Sequence, residues 1–346
     1  MAPNTRFSSY IKPGGLLSRL PTDLKREILE TTAHLYPPFA PRLARVSRDI
    51  QPWAERIIYH DLYFNGQGQR HPHPHSHFNH ASSSSSGADP QLPPFQKFIT
   101  HTLPARPAAF FAEYVKRLHF DGTFSAAQIL PVLRACTGVA NLGVYAALDK
   151  GPGPGDGDGA QEAEEEQEVW RLVHALPLAT LFISSENLTS LLATPPPQSS
   201  LQHLARLGLT DAWDVPLARF PAVTHLALVP DVEGQVLASV RAALSVPGER
   251  IQQVVVMLNH LYAPRQTRTR TLTALRDLAE SEGEGKGAGA GRMVLFTLPV
   301  SPRRYVEDDL WDLAREFPDE EQPVVYLGDI PGPRILSFEE VVALGL

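Results

Sequence analysis

The chain carries a single cysteine, Cys136, so no disulfide can close within it, as befits a reducing compartment such as cytosol or nucleus. No apolar run approaches the roughly 20 residues that span a bilayer, and the opening MAPNTRFSSYIKPGG holds no continuous apolar segment of signal length. The expectation is a soluble intracellular protein, cytoplasmic or nuclear. A strong charge of either sign is missing as well: 31 basic against 38 acidic residues leave a net charge of -7, much of it from the run EAEEEQE that begins at Glu162. Bulk charge points to neither nucleic acid nor a membrane as partner.

The motifs of common chemistries are absent. Neither glycine tract is a phosphate loop, because Lys286 is followed by Gly287 rather than Ser or Thr and the prolines of GPGPG remove backbone donors. The stretch DGDGAQEAEEEQ misses the calcium-loop template, with Gln161 at its sixth position and Gln167 at its twelfth. Five histidines, His71, His73, His75, His77 and His80, alternate with prolines and small polar residues and have no cysteine beside them. They read as a low-complexity loop rather than a preorganised metal site. Cys136 closes the apolar helix SAAQILPVLRAC and reads as a buried small hydrophobe, not a nucleophile. Arg265, Arg268 and Arg270 of PRQTRTRT read as solvated rather than phosphate-binding. With no combination of acid, base and nucleophile in sight, the expectation is a protein that is not an enzyme and has no cofactor and no metal.

What is present is ordinary globular composition: 346 residues, 43% hydrophobic and 20% charged, enough for one large domain and a smaller one. Pro and Gly concentrate in three stretches, residues 66–90, 151–168 and 283–291, which hold too little apolar side chain to offset an ordering entropy of about 1 to 2 kcal/mol per residue and are expected to be unstructured. Between them one pattern recurs: aliphatic, two others, aliphatic, one other, apolar. Its copies are VKRLHF at Val115, VANLGV at Val139, LATLFI at Leu178, LARLGL at Leu204, VTHLAL at Val223, IQQVVV at Ile251 and, less cleanly, MVLFTL at Met293. The Ile251 copy runs on through Asn259 and Leu261 to complete the leucine-rich-repeat spacing L-x-x-L-x-L-x-x-N-x-L.

Segments with helical spacing lie between the copies: SAAQILPVLRAC, EVWRLVHAL, EGQVLASVRAAL and TLTALRDLAES. A strand and helix unit of roughly 20 to 28 residues cannot cover its own apolar faces, whereas stacking in parallel buries each unit on the next. The expected fold is α/β, an irregular leucine-rich-repeat-like solenoid of parallel strands and helices, with a doubly wound sheet as the rival. The rival lacks its ligand loop, since HFDGTFSAAQ has one glycine. Helix, strand and helix at PRRYVEDDLWDLAREF, PVVYLGD and FEEVVALGL are expected to close the last repeat.

The N-terminal LPTDLKREILE begins a short helix, with Pro21 suited to its first position and Asp23 to the positive end of its dipole. Leu20, Leu24, Ile28 and Leu29 are expected on one side. A second helix, RLARVSRDI, offers Leu43, Val46 and Ile50; a third, PWAERIIY, offers Trp53 and Ile57; a strand LYF follows. Such short helices are marginal alone.

The pattern L-P-x-x-L-x-x-x-I-L (Leu20, Pro21, Leu24, Ile28, Leu29), then A-x-V-S-R (Ala44, Val46, Ser47, Arg48), then W-x5-Y (Trp53, Tyr59) resembles the F-box in the divergent form found in mushroom-type fungi. The likeness covers residues 18–64, and RPAAFFAEYVKRLHF is similar to the start of the repeat region in those proteins. The link HLYPPFAPRL departs from the acidic, leucine-rich segment of typical F-boxes. The resemblance implies a substrate-recognition subunit of a ubiquitin ligase of the Skp-cullin-F-box type. Its N-terminal helices would dock on a Skp-type adaptor and its repeat domain would capture an unspecified protein substrate. On that likeness Leu20, Pro21, Leu24, Ile28 and Leu29 are adaptor-facing, and Leu43, Val46 and Trp53 add apolar contact or hold the helices together. The implied organisation is a flexible start at 1–17, an F-box-like module at 18–64, a low-complexity loop at 65–93 and a repeat domain at 94–346 with insertions at 151–168 and 283–291. The alternative is a repeat scaffold that binds other proteins with no ligase link, its helical segment serving as an N-terminal cap.

Overall fold

The computed structural model describes residues 20–36, 39–66, 93–145, 147–148, 159–194, 200–210, 217–229, 233–244, 251–259, 273–275, 277, 292–298, 325–327 and 335–336. Six copies of the recurring pattern enter a strand at their third position. These are β2 (Arg117–Asp121), β4 (Asn141–Val144), β6 (Thr180–Ser184), β7 (Arg206–Thr210), β8 (His225–Val229) and β9 (Gln253–Asn259). Pairing is parallel, and fourth position meets fourth position: Leu118, Leu142, Leu181, Leu207, Leu226 and Val254 lie opposite one another in turn. The first, fourth and sixth positions of all six copies are buried to 5% exposure or less, which is why these places demand apolar side chains.

The backbone repeats in the same phase. The second-position carbonyl of one unit accepts the N–H groups of the second and third positions of the next. Lys116 O takes Ala140 and Asn141, Ala140 O takes Ala179 and Thr180, Ala179 O takes Ala205 and Arg206, Ala205 O takes Thr224 and His225, and Thr224 O takes Gln252 and Gln253. The same atoms are satisfied the same way at every step, so one local solution is stacked rather than six separate ones found.

This phase exposes a unit that the sequence pattern did not yield. The strand β1 (Asp61–Asn65) pairs parallel with β2, Leu62 opposite Leu118, and His60 O accepts the N–H of Lys116. Tyr59, Leu62 and Phe64 therefore occupy the first, fourth and sixth places of an earlier unit. The strand LYF, expected to follow the N-terminal helices, pairs into the sheet beside β2. The Met293 copy is corrected too: in β10 (Arg292–Leu298) Met293 lies opposite Val254 and so fills the fourth position, not the first. The run MVLFTL is apolar on both alternations, and a pattern without polar gaps does not fix its own phase.

With β11 (Val325–Leu327), parallel to β10, and the antiparallel β12 (Ile335–Leu336), the strands form one ten-stranded sheet in chain order; β3 (Thr123–Phe124) and β5 (Ala147–Leu148) pair separately. A doubly wound sheet must reverse its strand order at a switch point, and this sheet does not. The arrangement is an α/β sheet of parallel strands behind N-terminal helices, consistent with a leucine-rich-repeat-like stack.

The helices, numbered in chain order, are α1 (Thr22–Leu35), α2 (Ala40–Leu43), α3 (Gln51–His60), α4 (Pro94–Lys97), α5 (Ala108–Tyr114), α6 (Ala126–Ala135), α7 (Gly159–Ala175), α8 (Ser185–Ala193) and α9 (Glu233–Leu244). A π turn over Phe98–Thr102 continues α4 and closes with Leu103 N donating to Phe98 O at 2.8 Å. Ile129, Leu133, Trp170, Val173 and Leu188 from the helices share one buried cluster with the inward strand positions. At the β1 end the cluster is aromatic, the Phe64 ring lying 5.0 Å from Phe95, 5.1 Å from Phe98 and 5.8 Å from Phe120.

Three further expectations change. Residues 159–168 are helical rather than unstructured, α7 running straight through the acidic run. Its Glu, Gln and Ala residues are good helix formers, and acids in the first turns suit the helix dipole. Gln161 donates to Glu165 at 3.1 Å, Trp170 Nε1 to Glu166 at 3.3 Å, and Glu168 pairs with Arg171. The second N-terminal helix stops at Leu43 instead of running to Ile50, and the chain continues in turns. Pro21 stands one residue outside α1, extended at φ -52 and ψ 149, its carbonyl accepting Lys25 N at 3.0 Å. Residues 67–92, the glycine tract 283–291, the histidine run and the arginines at 265–270 lie outside the described residues, as do the two C-terminal helices expected there.

Candidate protein-docking surface

The N-terminal helices are held to the sheet by α3. Its last residues run without a break into β1, and Tyr59 packs edge-on against Phe110 and Phe111 of α5 at 5.1 and 6.0 Å. Glu55, almost buried, receives Gln51 Nε2 at 2.7 Å and pairs with Arg106. Burial raises the Tyr59 hydroxyl pKa, Glu55 pushes it the same way and Arg106 opposes. These contacts fix α3 as the cover of the first strand.

Helix α1 stands off from that junction, packing chiefly on α2 and α3. At about 100° per residue, positions 29 and 33 lie on one flank and positions 24, 28 and 35 on nearly the opposite one. The burial follows: Ala33 is fully buried and Leu29 half-buried against the module, whereas Leu24, Ile28 and Leu35 are exposed. The single side expected for Leu20, Leu24, Ile28 and Leu29 is thus two sides, one spent on the module and one facing solvent. Arg26 and Glu30, paired at 2.8 Å, occupy a polar flank between them.

Among the residues whose side chains are described, exposure of large apolar groups is confined to this module. Among the described residues the exposed ones are Leu24, Ile28, Leu35, Tyr36, Phe39 and Val46, each between 44% and 68% accessible. None of the described side chains of the sheet region is among them. An isolated exposed leucine is ordinary, but a concentration within one small module makes it a candidate interaction surface. Tyr36 and Phe39 meet edge to face at 6.4 Å at the foot of α1.

The eight residues singled out by sequence separate accordingly. Leu24, Ile28 and Val46 are exposed apolar groups, and Pro21 is exposed beside them. Leu20, Leu29, Leu43 and Trp53 are half-buried. Sequence reasoning missed Leu35, Tyr36 and Phe39 because it read the helix in LPTDLKREILE and took HLYPPFAPRL as a link. The signal was available: 24, 28 and 35 keep helical spacing on one stripe.

The other face of the sheet offers a second surface. The first residue of each strand, Asp61, Arg117, Asn141, Thr180, Arg206, His225 and Gln253, lies in register across it. Asp61 is exposed, Arg117, Asn141, Arg206 and His225 are half-buried, and Thr180 and Gln253 are buried. Arg117 approaches Asp61 at 3.6 Å. The next row inward is buried, with His119 and Phe182 at 2% exposure or less.

Among the described residues no group of three or more His, Cys, Asp or Glu is placed to hold a metal, and no helix is long and apolar enough to cross a membrane. No family model matches the chain, and no curated protein matches it.

Proposed function

We propose that this protein is a substrate-recognition subunit of a Skp-cullin-F-box-type ubiquitin ligase. In this reading α1 and the α1–α2 corner form an F-box-like docking surface for a Skp-type adaptor, and the leucine-rich-repeat-like sheet binds the protein to be modified. The observation that carries it is the outward stripe of Leu24 and Ile28, which nothing in the described chain covers and which coincides with the adaptor-facing places of the F-box pattern. Burying large aliphatic side chains contributes about 1.5 to 3 kcal/mol each. Four or five such anchors within an interface of about 800 Å² per partner are enough for useful affinity after association costs. The in-register polar row of Arg117, Asn141, Arg206 and His225 supports the sheet as the second binding surface.

The test uses the full chain, since α3 and β1 are continuous. Purified protein is passed over an immobilised fungal Skp-type adaptor. Wild type is retained at micromolar concentration, and Leu24→Glu with Ile28→Glu is not, although its melting temperature is unchanged. Failure of the wild type to bind would count against the ligase reading.

One observation favours a second reading, a repeat scaffold with a helical cap: α3 does cover the first strand. In that case the docking variant keeps every binding partner of the wild type.

A further inference from the structure

The apolar ridge ends in a basic corner. Arg42, Arg45 and Arg48 are exposed and spaced three apart between and beyond the exposed Phe39 and Val46. Bonds from Ala44 N to Ala40 O, Arg45 N to Arg42 O and Val46 N to Leu43 O, at 3.0 to 3.1 Å, keep the chain turning through this stretch. The Arg42 guanidinium lies 5.3 Å from the Phe39 ring centre. Among the described residues no carboxylate forms an ion pair with any of the three, whereas Arg26, Arg106 and Arg117 are paired with Glu30, Glu55 and Asp61. Asp49 is the one acid in the stretch 39–50. Another edge of the ridge carries Asp23, Glu27 and Glu30 of α1 with Arg26 among them, paired to Glu30, so the excess of positive charge lies on the α2 side.

Exposed cations standing beside exposed apolar groups with no carboxylate paired to them are poised to pair across an interface. Such rim charges govern encounter rate and salt dependence, and they reject partners of like charge. We propose that the docking partner presents an apolar groove with an acidic rim on the side that meets α2. Leu24, Ile28 and Leu35 enter the groove, Phe39 and Val46 close its end, and Arg42, Arg45 and Arg48 face the partner's carboxylates. This rests on the reading of α1 as the docking element. It assigns in addition the chemistry of the partner and the orientation in which it sits. Ser47, exposed and accepting Ile50 N at 3.3 Å, lies between two of these arginines, so an acid placed there opposes the same partner.

The experiment titrates the full-length protein with a fungal Skp-type adaptor at about 50 mM and about 300 mM salt, across which surface charge is progressively screened. Wild-type affinity falls several-fold over that range. Arg45→Glu with Arg48→Glu binds about tenfold more weakly at low salt and loses most of the salt dependence. Ser47→Asp weakens binding in the same sense, and Glu27→Lys does not. If the Arg45 and Arg48 reversals bind as the wild type does at both salts while Leu24→Glu with Ile28→Glu abolishes binding, the acidic rim is overturned and the docking ridge stands. If wild type itself does not bind, both fall. Should the reversals lower the melting temperature, Arg45→Gln with Arg48→Gln replaces them, with a smaller loss expected at low salt and equality with wild type again overturning the proposal.

Discussion

Single residues show how closely the stacked units approach. Gly208 of β7 sits beneath the ring of Phe182, and a Cβ at that place would lie 2.1 Å from Phe182 Cδ1. The ring is itself 2% exposed, so moving it would disturb packed neighbours. Gly208→Ala is expected to cost about 1 to 3 kcal/mol in a denaturant melt, and Phe182→Leu in the same chain to recover part of it. At Cys136 burial pushes the thiol up to about 12 from the ordinary 9.0. The folded chain therefore keeps its proton where the unfolded chain loses it, so stability is lost as pH rises above 9.0 toward about 12. Thiol reagents at neutral pH should label Cys136 only at the rate of unfolding. Two histidines act in the opposite window. Burial lowers the His174 pKa below 6.5, against hydrogen bonds with the Leu191 and Thr194 backbone that raise it, and burial followed by Arg117 lowers that of His60. The unfolded chain takes these protons first, so stability falls as pH drops below 6.5. Equilibrium melts stepped from neutral to about pH 5 check the slope, which His60→Gln should flatten.

Among the elements, α1 and α3 divide the labour of the N-terminal module. Removing residues 1–46 takes away α1 and α2 and should leave the sheet within about 1 kcal/mol of its original stability, because α1 buries little on it. Removing residues 1–65 also strips β1, with Leu62 and Phe64, from the aromatic end of the core. Each of those side chains is worth about 1.5 to 3 kcal/mol, so the second deletion should melt far earlier or fail to fold. The six strand units were legible in sequence because each needs an apolar group at the same three buried places. The unit at Tyr59 was not: its first position falls inside a helix, and a helix ending in a strand leaves no punctuation between them. The acidic helix α7 was misread for a different reason. Low complexity resembles disorder in composition, but Val169, Trp170 and Val173 anchor one end of the helix in the core and the glutamates need only remain solvated.

For the whole molecule, fold and docking surface are separable in the sequence to different degrees. Parallel stacking follows from periodicity and needs no partner to justify it. The outward stripe on α1 was half visible, Leu24 and Ile28 by pattern and resemblance, Leu35, Tyr36 and Phe39 only once the helix was seen to continue to residue 35. Because α3 enters β1 directly, a protein held at α1 is held in a fixed relation to the start of the sheet. The most direct test of the docking claim is amide hydrogen exchange on the full chain with and without a fungal Skp-type adaptor. Slowed exchange confined to α1 and the stretch through Val46, with β2 to β8 unchanged, is the predicted result. Equal exchange throughout α1 in the presence of saturating adaptor would contradict it.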